Sequence, residues 1–373
     1  MNSMKLLNIV ITIFICILGF GSCNTHKKKD TSPDAIKKVE DSILFSFSFV
    51  GCNRVEYQDW HNDTATNAST ANVSVLRRIF EDVTEQAKKP SLFFFLGDLV
   101  LAESDTVNLK NQLKAWVELY KDNAFSTINN SGIEFVAVPG NHEMLFYNDS
   151  DKKEYPLAGA TEIWMKYMNP YMPDDRTHIT GKDSLVNRMT FSFTRKNVGF
   201  IVMNTDTYNP PTKEKPYGYE GLIPTHWIID QVHRYKQDSE IDHIFVLGHK
   251  PYYVDGTPET GHKGFPEGPV LWPVLQEAKV IAMLSAHVHD YQRMQPNGKG
   301  TYQIIAGNGG SDGPATFFGY STIHIISNGD IQFISRGFSK GNPYYQDVSE
   351  NIMTVKDSTL LTWSKNKNPY QHN

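Results

Sequence analysis

Short apolar runs recur along the chain, each closed by a glycine or small residue and then a polar side chain. Ile43 to Val50 alternates apolar and small polar residues before Gly51-Cys52-Asn53-Arg54, and Leu92 to Leu96 runs into Gly97-Asp98. Phe135 to Val138 leads to Pro139-Gly140-Asn141-His142-Glu143, Ile244 to Leu247 to Gly248-His249, and Val280 to Leu284 to Ser285-Ala286-His287-Val288-His289-Asp290-Tyr291. Runs this short, bounded by turn residues, predict buried strands. Val73 to Lys88 has helical apolar spacing, Val107 to Asp122 reads as a second helix, and Ile223 to Gln237 as a third with Pro224 in its first turn. Helices so placed suit crossovers between parallel strands.

The second half reads differently. Met189 to Thr194 and Val198 to Asn204 predict a hairpin, and Tyr302 to Ala306, Ser321 to Ile326 and Ile331 to Ser335 predict closing strands, with Asn328-Gly329 turning the last two. Tyr147 to Lys182, rich in proline and aromatics, is read as an insertion with a short helix around Thr161 to Met168. Glu56 to Asn72 and Lys250 to Pro269 are read as loops at the active edge. Beyond Lys340 no period is visible, so residues 341–373 are read as a surface tail or packing arm.

Composition sets the class and the address. With 373 residues, 40% of them hydrophobic, the chain has enough for a large core of one or two domains. Its formal charge of -5 gives no overall attraction for nucleic acid, and none is expected as a partner. Lys5 followed by the apolar stretch Leu6 to Phe20 and by Gly21-Ser22-Cys23 has the order of a signal peptide, and is short for a membrane span. Cys23 after two small residues resembles a bacterial lipobox, with Phe20 in place of the usual leucine. The expectation is an exported protein, lipid-anchored through Cys23 to a bacterial membrane on a periplasmic or outer-membrane face, with residues 23–41 as a flexible tether. Of the three cysteines, Cys16 lies in the signal and Cys23 at the lipid, which leaves Cys52 as a lone thiol.

The chemistry gathers at the strand ends. In extended chain, residues i and i+2 face one way, so His287 and His289 are expected to aim at one point, as metal ligands do. Two histidines do not close a metal site, and Asp98, Asn141 and His249 stand at the ends of other predicted strands. Gly97-Asp98, Gly140-Asn141-His142-Glu143, Gly248-His249 and His287-Val288-His289-Asp290-Tyr291 resemble, in order, four motifs of the calcineurin-like metallophosphoesterases. Glu143 and the Gln292-Arg293 pair incline the resemblance toward the purple acid phosphatase branch, and it spans roughly residues 43 to 336.

That resemblance implies an α/β fold of the α+β sandwich kind, with two mixed β-sheets packed face to face and helices outside. The catalytic domain is placed at residues 42–340, after a signal peptide at 1–22. It also implies two divalent or trivalent metal ions (Fe, Zn or Mn). Asp98 would bridge them, Asn141, His249 and His287 would hold the second, and His289 would join Asp98 on the first. His142 would stabilise the transition state or protonate the leaving oxygen. Where the family's first motif reads Gly-Asp-x-His or Gly-Asp-x-Gly, this chain has Gly51-Cys52-Asn53-Arg54. Cys52 as a replacement ligand, Asn53 through its amide oxygen and a lost first-metal ligand are the alternatives. Arg54 is a candidate phosphate clamp. Leu101 stands where the purple enzymes carry an iron-binding tyrosine, so no purple colour is expected. The implied activity is metal-dependent hydrolysis of phosphate esters, with monoesters favoured. A phosphodiesterase or nucleotide hydrolase of the same fold is one alternative, and a non-catalytic binding lipoprotein with a degenerate first metal site is another.

Overall fold

The computed structural model describes residues 42–180, 185–206 and 222–362. The expected signal peptide, Cys23 and the expected tether lie outside them. Two sheets carry the fold. The six-stranded sheet runs Thr354–Leu360, Ile331–Ser339, Phe317–Ile326, Ile43–Val50, Leu92–Leu96, Glu134–Val138. The seven-stranded sheet runs Tyr291–Met294, Tyr302–Ala306, Ala282–Ser285, His243–Gly248, Val198–Met203, Phe191–Arg195, Thr177–His178.

Both sheets are mixed, and the distribution of parallel pairs positions the site. Ile43–Val50, Leu92–Leu96 and Glu134–Val138 run parallel in the first sheet. Val198–Met203, His243–Gly248, Ala282–Ser285 and Tyr302–Ala306 run parallel in the second. Parallel neighbours release their C-terminal loops on one edge, where ligands of such sheets collect. The inner faces meet through phenylalanine: Phe47 lies 5.0 Å, ring to ring, from both Phe200 and Phe245, and Phe94 lies 5.2 Å from Phe200. All are buried, so the edge loops rest on a packed base.

Helices cover the outside. Val73–Glu85 buries Val75, Leu76, Ile79, Phe80 and Val83, the stripe its spacing predicts. Thr106–Asp122 starts where Asp105 accepts from the Val107 and Asn108 amides at 2.9 and 2.8 Å, an N-cap that satisfies two free donors of the first turn. The insertion holds a hairpin, Leu145–Asn148 with Lys153–Pro156, and the helix Ala160–Met168. Among the described residues, no helix is long and apolar enough to cross a membrane.

Two elements depart from the sequence reading. Gly268–Glu277 is a helix where only a loop up to Pro269 is predicted. Thr354–Leu360, taken as tail or arm, adds a strand to the first sheet, so the folded unit continues past Lys340. Its mostly exposed, polar residues give no alternating apolar signal, because an edge strand needs only backbone pairing. Asp357 fastens it across the sandwich, accepting from Arg293 at 2.7 and 3.1 Å and from the Tyr291 hydroxyl at 2.6 Å.

Candidate active site

The site is assembled from loops that touch through backbone. Cys52 N–H donates to the Gly97 carbonyl, Asn53 N–H to the Asp98 carbonyl and Ala286 N–H to the His249 carbonyl, at 2.9, 3.0 and 2.9 Å. Gly97, at φ +88°, leaves no room for a side chain: an added Cβ would sit 2.4 Å from His249 Nδ1 and 2.7 Å from the Gly140 Cα. Cys52, Asp98 and His287 themselves hold left-handed backbone, with φ of 58°, 58° and 60°. Non-glycine residues seldom adopt it, and they persist here because neighbouring loops over-determine them.

His287 corrects one sequence expectation. Its strand stops at Ser285, and the left-handed turn at His287 cancels strand alternation. The two histidines therefore part. His287 Nδ1 lies 3.1 Å from Asn141 Oδ1 and 3.2 Å from His249 Nε2, whereas His289 Nε2 lies 4.0 Å from Asp98 Oδ2.

Around Asp98 Oδ1 the protons can be counted. His249 Nδ1 faces the Leu96 carbonyl at 2.7 Å, which fixes the proton on Nδ1 and leaves a lone pair on Nε2. His287 Nε2 faces the His262 carbonyl at 2.9 Å, which leaves the lone pair on Nδ1. The Asn141 amide nitrogen donates to Glu154 Oε1 at 3.2 Å, so its oxygen turns inward, 3.0 Å from His249 Nε2. Asp98 Oδ1 lies 3.3 Å from that same nitrogen. Four acceptors thus converge, with the His142 amide donating to Asp98 Oδ1 at 3.3 Å and none of the four side chains supplying a proton. A bound cation would satisfy such a cluster, and the outward N–H to carbonyl bonds are those of metal-ligating histidines. The donor set fits one divalent ion held by Asp98, Asn141, His249 and His287. Burial, then the charges of Lys250 and neighbouring imidazoles, holds His287 well below the usual histidine range, in its neutral ligand form.

Around Asp98 Oδ2 the picture reverses. The Arg54 side chain, only 6% exposed, brings Nε to 3.8 Å from Oδ2 and Nη1 to 2.8 Å from Glu56 Oε1. Nε makes no hydrogen bond. Burial disfavours a charged guanidinium, but the carboxylates of Asp98 and Glu56 outweigh it and keep Arg54 protonated. Burial likewise disfavours the Asp98 carboxylate, yet His249, His142, Arg54 and His289 together hold its pKa well below the usual range. The Cys52 Sγ is 3.9 Å from Oδ2, and Cys52, Asp98 and His249 could offer ligand atoms within 4.8 Å of one another. Burial first, then the Asp98 charge, pushes the Cys52 thiol up, so as it stands it is a weak donor rather than a thiolate. The Arg54 guanidinium works against a second dication on this side, and the Asp98 and Glu56 carboxylates work for it. At about 4 Å from a guanidinium it would be repelled by roughly 8 kcal/mol at an effective dielectric of about 20, twice the unit-charge figure.

His142 and Glu143 follow Asn141 and serve opposite ends. His142 Nδ1 is 3.1 Å from the Leu101 carbonyl, so Nδ1 donates and Nε2 carries the lone pair. Burial, then the Arg54 charge, lowers its pKa to about 3. Glu143 faces away from the ligand cavity and accepts from four amides: Gly140, Asp98, Leu99 and Val100, at 2.8, 3.1, 2.6 and 3.1 Å. It staples the Asp98 loop to the Asn141 loop. Burial and the Asp98 charge push its carboxyl upward, and the amides oppose that.

A cavity of about 360 Å³ opens over these groups, lined by Arg54, Asp98, Asn141, His142, His287 and His289, with His262, Lys263 and Glu154 at its sides. A second, of about 580 Å³, shares Asn141, His142 and Glu154 and adds Tyr57 and Tyr147. Asn53 lines neither. Its amide nitrogen donates to the Gly309 and Asn72 carbonyls at 2.7 and 3.2 Å, tying loops together below the site. Sequence reading misses Glu154 as the group that turns Asn141, Glu56 as the partner of Arg54, and the Asp312 carbonyl, which accepts from His289 Nδ1. None follows a glycine at a strand end, the signal that marks the others.

Comparison with known proteins gives the fold and the family. Among solved structures, GAP50, the anchor in the inner membrane complex of Plasmodium, is 17% identical, with 87% of this chain and 90% of that chain covered at a TM-score of 0.50. PhoD is 12% identical, with 86% and 70% covered at a TM-score of 0.53. At such identity these likenesses show the fold. No curated protein matches the chain by sequence. The calcineurin-like phosphoesterase model matches residues 59–291, beginning after the Gly51-Cys52-Asn53-Arg54 turn. Over half of its length, with Asp98, Asn141, His249 and His287 inside the matched span, the chain belongs to the calcineurin-like phosphoesterases, metal-dependent hydrolases of phosphate esters.

Proposed function

We propose that the chain hydrolyses phosphate monoesters in the 360 Å³ cavity. The observation that carries this is the buried Nε of Arg54, which makes no hydrogen bond, beside the ligand cluster of Asp98, Asn141, His249 and His287: a terminal phosphoryl group has oxygens for the guanidinium and for an ion held there. A divalent ion held by Asp98, Asn141, His249 and His287 would supply Lewis-acid charge to a phosphoryl oxygen and acidify water. Arg54 binds and orients the phosphoryl oxygens, since a guanidinium matches two of them. Lys263 at the cavity side adds attraction for a dianion.

His142 manages the leaving oxygen. Its Nδ1–H is fixed by the Leu101 carbonyl, so Nε2 is the site of proton exchange. In the free protein His142 is neutral, held so by burial and Arg54. A bound phosphate dianion offsets the Arg54 charge and favours protonation of Nε2. As the water oxygen bonds to phosphorus and the P–O ester bond breaks, that proton passes to the alcohol oxygen. The alcohol extends toward Tyr57 and Tyr147 in the adjoining cavity. That same cavity supports a second reading, a diester, because it offers space for a substituent on the other side of phosphorus.

His142→Ala is expected to lower turnover of a phosphomonoester by about 10²- to 10⁴-fold with metal content unchanged. Full turnover in the variant would reject His142 as the proton donor, and no turnover of mono- or diesters by the wild type would leave only a binding protein. We also infer, from Lys5, the apolar Leu6 to Phe20 stretch and Gly21-Ser22-Cys23, that the protein acts outside the cytoplasm on a lipid anchor. Cys23→Ser should move it from the membrane to the soluble exported fraction, and unchanged membrane partition would reject the anchor.

A further inference from the structure

The two oxygens of Asp98 face different kinds of cation site. Oδ1 lies 3.3 Å from His249 Nε2, whose neighbours are Asn141 Oδ1 and His287 Nδ1, and has no arginine or lysine beside it; the His142 amide donates to it at 3.3 Å. Oδ2 already has a positive partner, the guanidinium of Arg54, with the Cys52 thiol and His289 Nε2 at 3.9 and 4.0 Å from the same oxygen.

We propose that this protein works with one metal ion and that Arg54 stands permanently in place of the other. Resting on the phosphoesterase reading, this names how the site is charged. A guanidinium cannot act as a Lewis acid, but it fixes a positive charge beside Asp98 and His289. Its free Nε–H presents a donor to a phosphoryl oxygen, work that a second ion would otherwise do. The substitution also explains why a carboxylate is not needed at Cys52. With the cation covalently attached, an anionic ligand there has no ion to hold, and the Cys52 side chain, small and fully buried, packs into the corner.

The test counts ions and does not use turnover, so it fails independently of the proposed activity. The full chain, purified without chelators and equilibrated with Mn²⁺, is compared with Cys52→Asp/Arg54→His by elemental analysis and by electron paramagnetic resonance. The expected result is one ion per wild-type chain, with the six-line spectrum of isolated Mn²⁺. The double variant should take up two ions and show a spin-coupled spectrum. Two ions in the wild type overturn the proposal, and so does a single ion in a double variant whose circular dichroism matches wild type. Arg54→His alone, a smaller change, serves if the double variant does not fold, with the same expected second ion and the same overturning result.

Discussion

On the Oδ1 side of Asp98, three side chains from three different loops present lone pairs to one another; on the Oδ2 side, the nearest charge is an arginine. Both sides are buried, both carry a histidine from the same Ser285 to Tyr291 stretch, and both rest on the same carboxylate. They differ in where the positive charge comes from. Burial by itself therefore does not define a metal position. What does is whether the neighbours' protons are already committed elsewhere, as the Leu96 and His262 carbonyls commit those of His249 and His287.

The contrast breaks most completely at the residue common to both sides. Asp98→Asn keeps the shape but removes the charge, and is expected to cost the bound ion and at least ~10³-fold in turnover. Metal analysis and a phosphomonoester assay on one preparation check it; full ion occupancy in the variant would show that the Oδ1 cluster holds its ion without Asp98. Next comes Arg54→Ala, expected to lower kcat/KM by about 10²- to 10³-fold while the Oδ1 ion stays bound. Arg54→Lys should recover only part of this, because an ammonium keeps the charge but not the two-pronged donor geometry. Loss of the ion in Arg54→Ala would mean that the two sides are not separate. The smallest effect sharpens the Oδ1 side alone. Glu143→Gln exchanges a carboxylate accepting from four amides for a group with a single acceptor oxygen, and should weaken ion affinity about 10- to 100-fold. Titration with Zn²⁺ in a competing chelator reads this, and an unchanged affinity would reduce Glu143 to packing.

Much of this architecture is legible in the order of residues. Leu92–Leu96 has the bounds its apolar run predicts, and the Phe191–Arg195 and Val198–Met203 pair is the hairpin expected around Arg195-Lys196-Asn197. Asp98, Asn141 and His249 stand out because each follows a strand and a glycine, and parallel strands bring their ends to one edge. His287 and His289 do line one cavity, but a left-handed residue rather than strand alternation brings them there, and they face different partners in it. Gly268–Glu277 and the Thr354–Leu360 strand escape sequence reading for opposite reasons. The helix is masked by Pro269 and Pro273, and the strand lacks an apolar face.

The sequence by itself determined most of the elements, from apolar period and glycine placement that act over a few residues, and the family, from the order of its motifs. Only the tertiary structure decided which of these side chains meet: Asn141, His249 and His287 against one another, and Arg54, Cys52 and His289 near Asp98 Oδ2. Arg54 could have been a surface ion pair; its role was set when Glu56 and Asp98, from different loops, met it in a buried corner. Glu154 turns Asn141 from thirteen positions away, and the His262 carbonyl fixes the His287 proton from twenty-five. Electrostatic partners are chosen by approach through space, and a buried charge takes its meaning from whichever groups remain unsatisfied beside it.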